Sequence, residues 1–296
     1  RTIGLSPCTS ATEGHEMEVS AKESIPEIPK ETKLSEEYFF HYTTELSFEP
    51  GEVAFVMIDL WNTGFGPAPL SDLGWEAEYN CGKTFCDRAA EIEKTKILPM
   101  LEACRESGLT VVHAPTRDIA MRYTQWEALA TDPERQKART SGAAKVPGGI
   151  SQSAAEAPEW PPSDWIENWQ KGHTFLYRTE EWITNYYTHV RPNQDIPAPL
   201  RPAGGDLVVS SGEMLHRLLR DRQVKVLFYC GFAANMCLID KPGAIRDMYS
   251  RGYMPVVIRD ATTAAETAQT IDGLWATHTT IDQIEMKWGY SVTTHE

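Results

Sequence analysis

Two residues able to perform acid–base and nucleophilic chemistry stand at the ends of predicted buried strands. Asp59 ends the apolar run 53–58, and Cys237 follows the mostly apolar run 225–231 after a short turn. A continuous apolar run of this length is typical of a strand buried on both faces, as in a parallel sheet. Ligands of open α/β sheets bind at the carboxyl ends of the strands. The sequence therefore predicts that Asp59 and Cys237 lie at a ligand-binding edge.

The segment around Cys237 favours a reactive thiol. It enters a predicted helix within a few residues, and the N–H groups and positive dipole end of a helix N-terminus stabilise a thiolate. A single cysteine is more often a buried structural residue, and an aspartate after a strand is equally often a turn or cap residue. The two together favour the catalytic interpretation.

The elements that must position these residues alternate between strands and helices. Predicted strands lie at 53–59, 109–114, 206–210, 225–231, 254–260 and 290–293. Predicted helices lie at 94–107, 213–221, 244–251 and 281–288, and a capping box at Thr263–Glu266 opens another. This alternation predicts an α/β fold, a Rossmann-like three-layer αβα sandwich with a mainly parallel six-stranded sheet. The charged stretch Glu91–Lys96 is expected to be a solvated helix face.

Two segments do not follow this alternation. Residues 1–37 are polar and acidic and are predicted to form an extended or disordered arm. Residues 115–204 hold five of the nine tryptophans and separate the second strand from the third. We interpret residues 38–296 as one domain, in which the insertion 115–204 covers the strand ends and carries substrate specificity.

The motifs resemble those of the isochorismatase-like cysteine hydrolase superfamily, which includes nicotinamidases and N-carbamoylsarcosine amidohydrolases. The resemblance covers 53–114 and 205–293 and rests on Asp59, Asp206, Gly231-x-x-x-Asn-Met-Cys237, Gly252-Tyr-x-x-Val-Val-Ile-Arg-Asp260-Ala-Thr and His278 with Tyr290-Ser-Val. It implies that Cys237 attacks a carbonyl, that Asp59 is the acid/base, and that water hydrolyses the thioester. It also implies an oxyanion hole of the backbone N–H groups of Ala233 and Cys237, a cis peptide at Phe232–Ala233, and a homo-oligomer.

One residue that the resemblance implies is missing from its expected place. The family's lysine follows the third strand, where this chain has Ser210-Ser211-Gly212-Glu213. Without a cation, a thiolate loses a stabilising opposite charge. Lys171 and Lys241 are candidates to replace it in space, although a solvated surface lysine is the favoured interpretation of each.

No metal and no other cofactor is predicted. The Asp-x-His triplet that binds metal in some relatives is replaced here by Asp59-Leu60-Trp61. The loop Asn62–Gly66 lacks the glycine spacings of dinucleotide-binding and P-loop motifs, so nucleotide binding is disfavoured. Cys81 and Cys86 are predicted to lie in a loop, where a local disulfide is an alternative to two thiols, and two thiols are favoured.

Five residues near the strand ends are candidates for a substrate pocket: Trp61, Asn62, Phe65, His113 and Arg117. Each has a simpler alternative. Ordinary packing explains Phe65 equally well, a hydrogen-bonded rim histidine explains His113, and a local ion pair is favoured for Arg117.

Charge and hydropathy limit the partners. The chain has 28 basic and 42 acidic residues, a net charge of −14 and a pI near 5.1, which disfavour nucleic acid and anionic membranes. No window approaches the roughly 18 apolar residues of a membrane span. A small-molecule substrate is the expected partner. The chain begins at Arg1 and shows no signal-peptide pattern, so the compartment stays open between the cytoplasm, as default, and export with processing.

Three functions fit these residues. The first is a cysteine hydrolase that cleaves an amide-type C–N bond of a small molecule through a thioester on Cys237. The second is an isochorismatase-type enzyme in which Asp59 cleaves a vinyl ether by acid catalysis. The third is a non-catalytic pseudoenzyme that binds a ligand after losing the lysine. The pairing of Asp59 with Cys237 favours the first.

Overall fold

The apolar run that follows the 3₁₀ turn Pro50–Glu52 forms the central strand of a parallel sheet. The computed structural model describes residues 2–3, 17–19, 41, 43–63, 82–140, 160–162, 165, 169 and 186–295. Within these ranges the strands are β1 (Thr2–Ile3), β2 (Met17–Val19), β3 (Leu46–Phe48), β4 (Val53–Ile58), β5 (Thr110–Ala114), β6 (Leu207–Val208), β7 (Val226–Phe232), β8 (Met254–Thr263) and β9 (Tyr290–Val292).

Seven of these strands form one sheet in the order β1-β9-β8-β7-β4-β5-β6, and every neighbouring pair is parallel. The predicted six-stranded parallel sheet is confirmed, with β1 added at its edge. Strands β2 and β3 pair antiparallel in a separate sheet. Strands β1 and β2 fall within the predicted arm 1–37, and most of that arm lies outside the described residues.

The chain connections diverge between β4 and β7. From β4 the chain continues to β5 and β6 on one side of the sheet, whereas β7 continues to β8 and β9 on the other. Such a topological switch point leaves a crevice at the carboxyl ends of the two strands, where open α/β sheets bind ligands. Asp59 and Cys237 both follow strands at this crevice.

Helices cover both faces of the sheet. The described helices are Lys83–Ile92, the π-helical turn Glu93–Ile97, Leu98–Glu106, Arg117–Ala120, Thr124–Leu129, Asp132–Thr140, the π-helical turn Tyr186–Val190, Gly212–Arg220, Cys237–Asp240, Ile245–Ser250 and Trp275–Lys287, with further 3₁₀ turns at Arg191–Asn193 and Ala198–Leu200. No described helix is long and apolar enough to cross a bilayer.

The two faces of β4 bury their side chains in separate cores. Ala54, Val56 and Ile58 pack in a cluster that includes residues of the helix Gly212–Arg220. Phe55 and Met57 pack in the cluster that holds residues of the helices between 83 and 106. A strand covered on both sides is apolar at every position, which is why β4 shows no alternation.

Two local expectations were wrong. Cys86 lies in the helix Lys83–Ile92 rather than in a loop, and Cys81 lies outside the described residues. The capping box at Thr263–Glu266 does not open a helix, because β8 runs to Thr263 and the next helix begins at Trp275. Glu266 nonetheless accepts hydrogen bonds from the N–H groups of Ala276 and Thr277, and so caps that later helix.

The segment 115–204 is partly described. It forms short helices between 117 and 140, and it returns to the sheet edge through residues 186–200. Its interpretation as a lid within a single domain stays a prediction.

Candidate active site

Asp59 lies fully buried at the switch point, directly after β4. Its exposed fraction is 0% and its φ angle is 44°, in the left-handed region that asparagine and aspartate tolerate better than most residues. Its N–H donates to the carbonyl of Ala114 at the end of β5, at 3.4 Å. The chain therefore turns sharply at Asp59 and leaves its carboxylate at the carboxyl edge of the sheet.

The neighbouring strand β7 approaches β4 very closely at this edge. Gly231 pairs with Ile58, and a Cβ atom on Gly231 would lie 2.0 Å from the Ile58 carbonyl oxygen. The φ angle of Gly231 is +108°, which side-chain-bearing residues rarely adopt. Glycine at this position allows the segment that carries Cys237 to pass beside Asp59.

Cys237 is the first residue of the short helix Cys237–Asp240, and its side chain is half-buried. The carbonyl of Ala233 accepts hydrogen bonds from the N–H groups of Met236 and Leu238, at 3.0 and 3.2 Å. The peptide bond Phe232–Ala233 is cis, as the family resemblance implies. The segment between Ala233 and Cys237 thus forms a tight turn at the end of β7, and it contains both N–H groups of the predicted oxyanion hole.

Lys241 places its ammonium group on the Asp59 carboxylate. Lys241 Nζ lies 2.5 Å from Asp59 Oδ1 and 2.7 Å from the carbonyl oxygen of Ala114. The Lys241 N–H donates to the Cys237 carbonyl at 3.2 Å, and the lysine side chain is only 14% exposed. The interpretation of Lys241 as a solvated surface lysine was wrong. Lys171 lies outside the described residues.

The position of Lys241 depends on a close contact between its loop and the helix Gly212–Arg220. A Cβ atom on Gly212 would lie 1.8 Å from Asp247 Oδ2 and 3.0 Å from the Gly243 nitrogen. Asp247 Oδ2 in turn accepts the Gly243 N–H at 2.7 Å. The absence of a side chain at Gly212 therefore allows the loop after Lys241 to pack against the start of this helix.

The residues that replace the family's lysine have structural partners instead. Ser210 Oγ accepts the indole N–H of the buried Trp126 at 2.8 Å. Ser211 caps the helix Gly212–Arg220, because its hydroxyl accepts the Met214 N–H at 3.2 Å. The cation comes to the site from the end of the helix that begins with Cys237.

The two oxygens of Asp59 have different surroundings. Oδ1 accepts the Lys241 ammonium, whereas Oδ2 is buried and has no hydrogen-bond partner among the described residues. A buried carboxylate oxygen without a donor is costly, so Oδ2 is the oxygen of Asp59 that can accept a hydrogen bond from a ligand. Burial acts to lower the pKa of Arg191, but nearby negative charges, including that of Asp59, outweigh it and raise that pKa. The returning segment of the insertion therefore brings a second cation toward the Asp59 carboxylate.

The sequence was also compared with models of known protein families. The isochorismatase domain model matches residues 207–280. Residues 207–280 resemble isochorismatases. This match confirms the family resemblance predicted from the sequence, and it spans Cys237 and Lys241. No curated protein matches the chain significantly.

Similar solved structures include three isochorismatase-like proteins. A cysteine hydrolase from Pseudomonas syringae has 16% identity and a TM-score of 0.45, with 83% of this chain and 91% of that chain covered. N-carbamoylsarcosine amidase from Thermoplasma acidophilum has 18% identity and a TM-score of 0.40, with coverages of 83% and 98%. Nicotinamidase from Bacillus subtilis has 16% identity and a TM-score of 0.39, with coverages of 82% and 99%.

Asn62 joins the loop after Asp59 to the insertion. Its N–H donates to the Asp195 carbonyl at 2.8 Å, and its Oδ1 accepts the Asp195 N–H at 3.1 Å. Asn62 Nδ2 also donates to the Asn193 carbonyl at 3.2 Å. These bonds fix the insertion to the loop after β4, so Asn62 has a structural explanation.

Three further residues were predicted for the substrate pocket: Trp61, Arg117 and Phe65. Trp61 is half-buried, and its indole N–H is buried without a hydrogen-bond partner among the described residues. Arg117 begins the short helix Arg117–Ala120, next to Asp118, which pairs with Arg191 at 2.5 Å. Phe65 lies outside the described residues.

His113 matches the hydrogen-bonded alternative rather than a ligand contact. The ring is 1% exposed, and its Nε2 lies 3.0 Å from Asp206 Oδ2. Burial lowers the pKa of His113, and the hydrogen bond to Asp206 opposes this effect only in part. A neutral imidazole that donates through Nε2 fits this pair. The half-buried Arg105 binds the same carboxylate at 2.5 Å, so the three side chains form one hydrogen-bonded network.

Glu93 is a buried acid that the sequence interpretation placed in solvent. It is 1% exposed, on the π-helical turn Glu93–Ile97, and its Oε1 accepts the Trp61 N–H at 3.1 Å. Burial raises the pKa of Glu93 well above its ordinary value. The expectation of a solvated face for Glu91–Lys96 was therefore wrong at this position.

One group among the described residues has a composition suited to a metal ion, and it lies outside the crevice. His41 Nδ1 is 2.6 Å from Glu285 Oε2, and His41 Nε2 is 3.5 Å from Asp282 Oδ1. The imidazole is exposed, whereas the Glu285 side chain is only 5% exposed, and the ring lies between the two carboxylates. The cluster is not connected to the chemistry of Asp59 and Cys237.

Proposed function

We propose that the chain is a cysteine hydrolase that cleaves an amide-type C–N bond of a small molecule, with Cys237 as nucleophile, Asp59 as acid/base and Lys241 as the cation. The observation that carries this proposal is the 2.5 Å contact between Lys241 Nζ and the buried Asp59 carboxylate, beside the helix that begins at Cys237. Acid, cation and thiol then come from adjacent elements, although the lysine is in a different sequence position from that in the family.

Formation of the thioester requires one proton transfer and one leaving group. Asp59 accepts the thiol proton on Oδ2, the oxygen that Lys241 does not occupy. The Cys237 sulfur attacks the carbonyl carbon, and the carbonyl oxygen becomes an oxyanion next to the N–H groups of Ala233 and Cys237. When the tetrahedral intermediate collapses, the C–N bond breaks and Asp59 returns its proton to the leaving amine.

Hydrolysis of the thioester repeats these steps with water. Asp59 takes a proton from water as the water oxygen bonds to the thioester carbon, and a second oxyanion forms in the same place. Collapse breaks the C–S bond, and the Cys237 sulfur recovers a proton from Asp59. The products are a carboxylic acid and an amine or ammonia, and the enzyme is regenerated.

Lys241 has two tasks in this scheme. Its positive charge lies beside the carboxylate, and it stabilises the negative charge that forms on the Cys237 sulfur as the proton leaves. It also fixes the direction of the carboxylate, because Nζ bonds both Asp59 Oδ1 and the Ala114 carbonyl. An ammonium group held by two acceptors cannot rotate away from the carboxylate without losing both bonds.

The direct test is turnover of small primary amides by the wild-type chain and by Cys237→Ala, followed by mass spectrometry of the intact protein during turnover. We expect an acyl adduct on Cys237 in the wild type and no turnover in the variant. Iodoacetamide near neutral pH supplies an internal control, because burial raises the pKa of the half-buried Cys104 thiol to about 12. Cys237 should react faster than Cys104.

The other two functions are outcomes of the same experiment. If Cys237→Ala retains turnover of a vinyl ether while Asp59→Ala abolishes it, Asp59 acts by acid catalysis and the cysteine mechanism is wrong. If amides, esters and vinyl ethers all show no turnover that depends on Cys237 or Asp59, while small-molecule ligands raise the melting temperature, the chain is a binding protein.

A further inference from the structure

A second cleft opens on the same edge of the sheet as Asp59 and Cys237, next to the end of β8. Its volume is about 220 Å³, and its walls include Thr84, Phe85, Arg88, Glu266 and Ile271. The first two turns of the helix Lys83–Ile92 form one wall, and the loop after β8 forms the other.

The cleft is adjacent to the segment that leads to Cys237. The ring of Phe85 contacts that of Phe232 edge-on, with centroids 6.3 Å apart. Thr263, which pairs with Phe232 across β7 and β8, accepts the Ala234 N–H on its carbonyl at 2.9 Å. Since neighbouring strands are about 4.8 Å apart, a short ligand can extend from one strand end to the next.

Arg88 is a half-buried cation held only by neutral oxygens. Its guanidinium donates to Thr263 Oγ1 and to the carbonyls of Thr84 and Ala264, each at 3.3 Å. Among the described residues, no carboxylate oxygen lies within 4.0 Å of it. Burial lowers the pKa of Arg88, and Glu266 opposes this effect from a longer distance.

Arg88 differs in this respect from five other half-buried arginines. Each of the following lies within 3 Å of a carboxylate: Arg105, Arg135, Arg191, Arg217 and Arg251. A partly desolvated guanidinium is stabilised most by a carboxylate or phosphate that accepts two of its N–H groups. Three of the five N–H groups of Arg88 are used in the bonds to protein, which leaves two for a ligand.

We propose that Arg88 binds a carboxylate of the substrate, so that the preferred substrate is an amide with a carboxylate a few bonds from the scissile carbonyl. This inference rests on the proposed amide hydrolysis at Cys237. Arg88 then acts as a specificity residue, and the acyl group of the substrate spans the distance from the end of β8 to the end of β7.

Glu266 on the opposite wall does not prevent anion binding. Its carboxylate accepts the N–H groups of Ala276 and Thr277 and the Thr277 hydroxyl, at 2.8–3.0 Å. Its charge is therefore directed at the positive end of the helix Trp275–Lys287. The oxygen lone pairs that remain can accept an N–H from the same ligand.

The kinetic test compares amides matched in length, with and without a carboxylate: succinamate against butanamide, and glutaramate against pentanamide. In the wild type we expect the carboxylate member to have the higher kcat/KM. Loss of a charge-assisted hydrogen bond corresponds to about tenfold or more. Arg88→Gln should therefore lower the ratio of kcat/KM for glutaramate to that for pentanamide at least tenfold, mainly through KM. Arg222→Gln, an exposed arginine before β7, is the matched control and should leave this ratio unchanged.

A second pair of variants protects the test against a folding defect in Arg88→Gln. Thr84 is exposed on the cleft rim, so Thr84→Glu adds a negative charge and Thr84→Lys adds a positive one without removing the bonds of Arg88. The ratio should fall several-fold in Thr84→Glu and should not fall in Thr84→Lys. If Arg88→Gln lowers activity on both members of a pair equally, and the Thr84 variants leave the ratio unchanged, Arg88 is structural and the inference is wrong.

A binding measurement separates this inference from the proposed reaction. Glutarate is titrated calorimetrically into Cys237→Ala and into Cys237→Ala with Arg88→Gln. If Arg88→Gln weakens the affinity for glutarate at least tenfold, the anion site is supported even when no amide is hydrolysed. In that case only the proposed function fails. Equal or absent glutarate binding in both proteins overturns the anion site, whatever amides the wild type cleaves.

Discussion

Lys241 Nζ lies 2.5 Å from Asp59 Oδ1 across the crevice between β7 and β4. The two residues are 182 positions apart in the chain, and the pair is held further by the bond from Lys241 to the Ala114 carbonyl. Because the Asp59 side chain is 0% exposed, water does not screen its carboxylate, and the ammonium group supplies the opposite charge. The same ion pair therefore contributes to the stability of the fold and to the proposed chemistry.

We expect Lys241→Met to lower kcat/KM for amides on the order of 100-fold or more, since the proposed acid/base loses its cation and its orientation. It should also destabilise the fold by about 3 kcal/mol, because the buried Asp59 charge is left without a partner. Chemical denaturation and steady-state kinetics measure the two effects.

A double-mutant cycle with Asp59→Asn provides the control for this prediction. The double variant carries no buried charge, so it should be more stable than Lys241→Met alone while remaining inactive. If the double variant loses as much stability as the two single variants lose together, the ion pair is contradicted.

Gly212 should be intolerant of even one methyl group. The added Cβ in Gly212→Ala would lie 1.8 Å from Asp247 Oδ2, so the loop that follows Lys241 must move. We expect a loss of about 1–3 kcal/mol in stability, as is usual for overpacking, together with a lower kcat. Gly205→Ala is the matched control, since nothing lies within 4 Å of its added Cβ. Unchanged kcat in Gly212→Ala would show that the loop position does not matter for Lys241.

The sheet and the two strand-end residues could be predicted from sequence because their signals are local. A strand buried on both faces requires an uninterrupted apolar run, and the residue that ends it lies at the carboxyl edge by construction. The Lys241 contact could not be predicted in this way, since it depends on how closely the loop 241–243 packs on Gly212. The available signal was Gly212, a glycine within the segment where the family's lysine is expected.

The burial of Glu93 was not predicted from the sequence, for a different reason. Its neighbours Glu91, Lys94 and Lys96 are charged, and a regular helix with that pattern presents a solvated face. The π-helical turn Glu93–Ile97 inserts a residue into the helical repeat and rotates the following positions. Glu93 begins this turn and is buried toward Trp61, and composition reveals neither feature.

The pair His113–Asp206 should give the fold a measurable sensitivity to acid. Burial alone would raise the pKa of Asp206, but hydrogen bonds from His113 and Arg105 outweigh it and lower that pKa to about 2. A depressed folded-state pKa stabilises the fold above the ordinary aspartate value near 3.9, and this stability is lost as the pH falls toward 2. We expect Asp206→Asn to lose about 1–2 kcal/mol at pH 7 and to flatten the unfolding profile between pH 4 and 2. Asp221→Asn, which is exposed, should reproduce the wild-type profile.

Glu93 should make the fold less stable as the pH rises, which is the opposite of the effect of Asp206. Its raised pKa means that the folded chain holds a proton that the unfolded chain releases, so the unfolding free energy falls as the pH rises above the ordinary glutamate value near 4.3. Glu93→Gln keeps an oxygen for the Trp61 N–H but cannot ionise, and we expect it to remove this fall and to be the more stable protein at pH 8. Urea unfolding from pH 4.5 to 8 measures it, with the exposed Glu102→Gln as control. Parallel profiles for Glu93→Gln and wild type would mean that Glu93 is ionised in the fold.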